Sequence, residues 1–266
     1  MSVSPASAPD AEPPFVRVDG DIGRGLLLLC DHASNRIPAP YGSLGLAPAD
    51  FERHIAYDIG AAAVTRRLAE LTGAPALLTT TSRLLIDPNR GEDDPTLIMR
   101  LSDGRVVPGN AGVDAAERER RLALYHRPYH QAIAATLDEA LAAGVVPAIF
   151  SVHSFTPRWK DWARPWHVAI LWDLDPRFPA PLIEALRAEG DLVVGDNEPY
   201  DGALKNDTLY RHATMRGLAN VLIEIRQDLV TTSAEVEGWA IRLARLLQPI
   251  IARPDLHSVQ HFGSRG

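Results

Sequence analysis

A chain of 266 residues with a hydrophobic share of 46% and a formal net charge of −7 can bury a sizeable core and is not a disordered protein. The negative balance argues against a nucleic-acid partner. Cys30 is the single cysteine, so no internal disulfide can form, which fits a reducing, cytoplasmic setting. No apolar run approaches the roughly 18 residues that cross a bilayer, so no membrane role is expected.

Residues 1–14 are rich in Ser, Ala and Pro, lack a basic start and an apolar core, and read as a disordered tail rather than a signal peptide. A short edge strand is expected over 15–18 and a firm strand over 25–30. Asp58 opens a helix to about Leu71, with Gly73 as its stop. Strands follow over 76–80 and 83–86. A long polar loop spans 91–112, and loops of that length are usually functional or mobile. Asp114 and Glu117 resemble a capping box for a long helix ended by Gly144, with Pro128 expected to kink it. Further strands are expected over 146–152, 166–172, 191–194 and 218–226, with a helix over 180–188. Thr232 and Glu235 form a capping box for the last helix. This alternation predicts one α/β domain over 15–253, with a mixed, mostly parallel sheet flanked by helices and a C-terminal tail over 254–266.

Three apolar strands end in groups that carry chemistry. Leu26-Leu27-Leu28-Leu29-Cys30 runs into Asp31-His32-Ala33-Ser34-Asn35, Ala148–Val152 into His153-Ser154, and the last strand carries Glu224 and Arg226. Ligands in open α/β sheets sit at the carboxyl ends of strands, so His32 and His153 have the address of metal ligands. Asn35 is a poor zinc ligand; Asp58 is the candidate third ligand, or else a helix cap, and His54 is a weaker alternative. Glu224 interrupts an apolar strand and is either a general base or half of a salt bridge. Arg226, two residues on, is expected on the same face, holding a substrate carboxylate or pairing with Glu224. Asp87-Pro88-Asn89-Arg90 offers a guanidinium fork and an amide for a carboxylate, with Arg83 as a second anion binder. His212 is a candidate substrate contact or a surface residue, and His130 a candidate for the site edge. Cys30 lacks an activating base and reads as a small apolar residue.

Together, Asp31-His32-Ala33-Ser34, Tyr57-Asp58, Ser82-Arg83-Leu84-Leu85-Ile86-Asp87-Pro88-Asn89-Arg90, Tyr125-His126-Arg127-Pro128-Tyr129-His130, Val152-His153-Ser154 and Ile223-Glu224-Ile225-Arg226 resemble, in order and spacing, the N-formylglutamate amidohydrolases. The resemblance spans about residues 26–229. It implies a phosphorylase/hydrolase-like α/β fold, similar to zinc carboxypeptidases and aspartoacylases. It also implies zinc on His32 and His153, substrate contacts from Asn89 and Arg90, and Glu224 as the catalytic glutamate.

The expected activity is thus hydrolysis of the amide of an N-acyl, in particular N-formyl, amino acid, with Zn2+ or another divalent metal and a small-molecule carboxylate as partner. Two alternatives stay open: a metal-free anion-binding protein on the same fold, which Asn35 favours by its lack of charge, and a zinc carboxypeptidase-like peptidase.

Overall fold

The leucine runs that read as doubly buried strands form the middle of a seven-stranded sheet in the computed structural model, which describes residues 12–266. The strands are β1 (Phe15–Val18), β2 (Leu26–Cys30), β3 (Ala76–Thr79), β4 (Ala148–Phe155), β5 (Val168–Leu171), β6 (Val194–Asp196) and β7 (Asn220–Arg226). Their spatial order is β1-β3-β2-β4-β7-β5-β6. The central four, β3, β2, β4 and β7, run parallel. β1 joins β3 and β5 joins β7 antiparallel, and β6 follows β5 in parallel. The sheet is therefore mixed and mostly parallel, as expected.

The helices are α1 (Ala61–Thr72), α2 (Ala115–Arg121), α3 (Arg127–Ala142), α4 (Pro179–Ala188), α5 (Thr208–His212) and α6 (Ser233–Ile251). Side chains alternate across each strand, which gives the sheet two cores. Leu26, Leu28 and Cys30 join Phe150, Val152 and Ile223 beneath α1, α4 and α6. Leu27, Leu29, Ile149 and Leu222 face Tyr129, Ile133 and Leu137 of α3 and Leu209 beside them in α5. A third cluster, including Leu44, Ile55, Leu84, Leu85, Ile86 and Leu122, lies in the connecting segments.

Local chemistry explains most element ends. Gly73 closes α1 in the left-handed region, at φ 68°, where a side chain would be strained. Asp114 accepts the Glu117 N–H at 2.8 Å, and Thr232 with Glu235 completes a capping box. The long helix is interrupted just before Pro128 by one π-helical turn, Leu122–His126, so that proline enters at the start of α3, where its missing N–H is cheapest.

Three sequence expectations need correction. Residues 83–86 are not a strand but a tight turn: Leu85 N–H bonds the Ser82 carbonyl, the Ser82 hydroxyl accepts from Leu84 N–H, and the apolar side chains feed the third cluster. The strand expected over 191–194 is displaced to Val194–Asp196, because Val193 is exposed and only the later residues meet β5. The segment 254–266 is no free tail. Leu256 is fully buried in the α1/α6 core, and His257 bonds the carbonyls of Val146 and Ile251. Gln260 N–H bonds the Gly217 carbonyl. The expected N-terminal tail over 1–14 lies outside the described residues except for 12–14.

Ending the chain at Arg253 should therefore lower the free energy of unfolding by roughly 3–6 kcal/mol, the cost of one emptied leucine site and a few lost hydrogen bonds. Urea denaturation of the two lengths checks this; an unchanged midpoint would mean that the segment contributes nothing.

Candidate active site

Parallel strands deliver their carboxyl ends to one edge, and register decides what meets there. Glu224 of β7 lies directly beside His153 of β4. β2 pairs with β4 through Leu29 and Ser151, so the next alternate residue, Asp31, arrives opposite His153. His32 follows where the chain leaves the sheet. The Asp58 N–H bonds the His32 carbonyl at 3.0 Å, which lays the 58 segment alongside.

The result is a buried centre in which Asp58 Oδ2 stands 3.2 Å from His32 Nδ1 and 2.8 Å from His153 Nδ1. The Asp58 side chain caps no helix; the N-cap of α1 is Gly60, so the capping alternative is excluded. Behind each imidazole stands another carboxylate. Asp87 Oδ1 is 2.7 Å from His32 Nε2, and Asp31 Oδ2 is 3.2 Å from His153 Nε2. With the proton on Nε2, each ring turns its Nδ1 lone pair to the centre.

These carboxylates are themselves held. Tyr129 O–H donates to Asp31 at 2.9 Å and the Thr208 hydroxyl at 3.1 Å. Arg83 bridges Asp87 at 3.0 Å and Asp58 at 3.4 Å. Burial alone would raise the Asp58 carboxyl and lower the His153 imidazole. The ion pairs and hydrogen bonds between them outweigh it, so Asp58 is held below and His153 well above its usual range.

Glu224 differs. Burial pushes its carboxyl up to about 7 against the pull of His153. Its Oε2 has no hydrogen-bond partner among the described residues although it is shielded from solvent. It lines a cavity of about 380 Å³ together with His32, Asp58, His153, Arg83, Asn89 and Arg90. A buried carboxylate with a free oxygen beside an open cavity is placed to exchange a proton.

The substrate-side expectations divide. Asn89 spends its carbonyl on the Thr208 N–H at 3.1 Å and turns toward the cavity, and Arg90 lines the wall, with Asp94 no nearer than 3.9 Å. Arg83 reaches the wall, yet both its terminal nitrogens serve protein carboxylates. Arg226 is not in the cavity wall and does not pair with Glu224. It ends β7 and bonds Asp228 at 2.8 Å, because the chain turns immediately after it. His212 is buried behind the site and bonds His130 at 2.9 Å. His130 in turn bonds the Pro88 carbonyl and His126 the Arg90 carbonyl, each at 2.9 Å, so these rings brace the segment that presents Asn89 and Arg90 from behind. His54 sits at the rim beside Asp103. Cys30 is enclosed, and burial raises its thiol well above the ordinary value.

The donor set suits a divalent cation. One oxygen and two nitrogens from Asp58, His32 and His153 lie within 4.8 Å of one another. The two separations from Asp58 Oδ2, 3.2 and 2.8 Å, are shorter than the roughly 3.3–3.5 Å that tetrahedral bonds of about 2.0–2.2 Å would set. Carboxylates on the far ring nitrogens are the usual support of histidine ligands.

Fold and site together describe an α/β protein with a candidate hydrolytic centre at the carboxyl ends of its strands. A sequence profile of the N-formylglutamate amidohydrolases matches residues 24–231. The chain belongs to that family of amidohydrolases. Among solved structures, a gene product of Agrobacterium tumefaciens is 33% identical over 92% of this chain and 97% of its own, with a TM-score of 0.85. An N-formylglutamate amidohydrolase from Ralstonia eutropha shares the fold at 21% identity and a TM-score of 0.68, covering 90% of this chain and 97% of its own. No curated protein matches.

If Asp31 and Asp87 orient metal-binding imidazoles, Asp31→Asn and Asp87→Asn should each weaken zinc binding roughly 10–100-fold. Competition with a fluorescent chelator measures this, with circular dichroism as the check on folding.

Proposed function

We propose that this amidohydrolase is metal-dependent and cleaves the amide bond of N-acyl amino acids, N-formyl amino acids in particular. The observation that carries the reading is the pairing of a His32–Asp58–His153 centre with an unpartnered Glu224 carboxylate on one cavity wall. His32, Asp58 and His153 would hold a divalent cation, zinc by the donor set, which would supply Lewis-acid polarisation of the amide carbonyl and lower the pKa of the attacking water.

The protein's own groups do the rest. Arg90 and the Asn89 amide hold the substrate carboxylate, which fixes the scissile bond against the centre. Glu224 takes a proton from the attacking water as oxygen bonds to the carbonyl carbon. It then gives that proton to the departing nitrogen as the C–N bond breaks, releasing an acid and a free amino acid. A carboxyl raised by burial suits both duties, because it gains and loses a proton near neutral pH. His126 and His130 serve as positioning residues for the clamp.

Glu224→Gln should cut kcat roughly 10²–10⁴-fold while one equivalent of metal stays bound. Steady-state kinetics on N-formyl amino acids with metal analysis tests this, and hydrolysis undiminished in the variant would remove Glu224 from the mechanism. Arg90→Ala should act mainly through KM, raising it by about 10–100-fold for the loss of a charge-assisted carboxylate contact. A rise in KM equal for substrates with and without the carboxylate would overturn that assignment.

A further inference from the structure

The wall of the same cavity bears on which amino acid is released. Among the described residues, two arginines line it, Arg83 and Arg90. Arg83 is committed to Asp58 and Asp87, which leaves Arg90, whose Nη1 donates to the Asn89 carbonyl at 2.9 Å and whose Asp94 neighbour is 3.9 Å away, as the wall guanidinium without a close carboxylate. Beyond the His32–Asp58–His153 centre, the other charged side chains of the wall are acids. Asp103, Asp173 and Asp201 stand around it, each matched to a protein cation: Asp103 to Arg53, and the other two to Arg265. A ligand with two carboxylates would find one guanidinium on the wall free of a close carboxylate, and its second charge would meet only groups already paired within the protein, a position that is costly once water is displaced.

Part of the wall is aromatic. Trp159 and Tyr200 are each 43% exposed, and Trp172 stands with them. These rings are held in place. Trp172 donates its indole N–H to Asp196 at 2.8 Å. The Arg164 guanidinium lies 5.1 Å from the Tyr200 ring centre and 5.7 Å from that of Trp159. Arg164 bonds the Thr156 hydroxyl at 2.9 Å and is not itself part of the cavity wall. Exposed, fixed aromatic faces beside a cavity of about 380 Å³ offer apolar contact to a side chain rather than an ion pair.

We infer that the preferred substrate is a monocarboxylate, an N-formyl amino acid with an apolar or aromatic side chain lying against Trp159, Trp172 and Tyr200, rather than a dicarboxylate such as N-formylglutamate. The inference rests on the hydrolase reading above and goes further in naming the side-chain class.

The test uses the full-length, zinc-loaded protein with N-formyl-L-phenylalanine and N-formyl-L-glutamate. The expected kcat/KM is roughly tenfold or more in favour of phenylalanine, the scale on which pockets discriminate by apolar contact. Equal or better use of the glutamate derivative would overturn the inference. Calorimetric binding of both compounds to Glu224→Gln reads the pocket without turnover. If neither compound is hydrolysed by the wild type, the hydrolase reading fails, yet tighter binding of the phenylalanine derivative would still support the side-chain class. Equal binding, or none, would overturn that class as well. Trp159→Ala should bring the kcat/KM ratio down toward parity and Trp159→Phe should restore it; a ratio unmoved by the alanine variant would refute the aromatic wall.

Discussion

The site depends on one carboxylate oxygen. Asp58 Oδ2 lies within hydrogen-bond reach of two imidazoles that start 121 positions apart in the chain, at His32 and His153. Holding it there requires Asp31, Asp58 and Asp87 to be buried together, each no more than 4% exposed. Such a concentration of negative charge is stable only if every oxygen finds a donor. Arg83 serves Asp58 and Asp87, Tyr129 and Thr208 serve Asp31, and the two histidines between them reach all three. The packing of α3 and α5 on the sheet is thus also part of the electrostatics, because Tyr129 and Thr208 come from those helices.

Much of the fold was legible because its central strands lack alternation. β2 is apolar throughout and β4 is buried along its whole length, apolar over Ala148–Phe150 and at Val152, and strands of that kind belong in the middle of a parallel sheet. The same rule misled at residues 83–86, where an apolar run of the same kind serves a loop cluster instead. Periodicity does not separate those cases, since short apolar runs suit any buried segment. The π-helical turn before Pro128 was legible only as a kink: the proline marks where regular hydrogen bonding must fail but not how the backbone absorbs it.

At the site, the groups at strand ends could be read, and the groups behind them could not. Alternation along β2 sets Asp31 on the opposite face from Cys30; that face is also the one carrying His153, a fact fixed only by the register between β2 and β4. Asp87 stood in a string singled out for its Asn and Arg, while its own role depends on His32, 55 residues away. Thr208 meets Asp31 across 177 residues. No local pattern announces such a contact. Arg226 shows the opposite failure, since the same-face rule holds along a continuing strand and Arg226 is the last residue of one.

The absence of a carboxylate at position 35 no longer weighs for a metal-free binding protein. The Asn35 amide donates to the Phe51 carbonyl at 2.9 Å, away from the two histidines, so that position is structural. The carboxylate is supplied by Asp58, brought beside His32 by a single backbone hydrogen bond. Four carboxylates, Asp31, Asp58, Asp87 and Glu224, are buried at the centre, with Asp58 and Glu224 in the cavity wall itself. Two of them hold imidazoles by the far nitrogen, one shares the near nitrogens, and the fourth keeps an oxygen free. That division of labour suits the proposed hydrolysis at a cation.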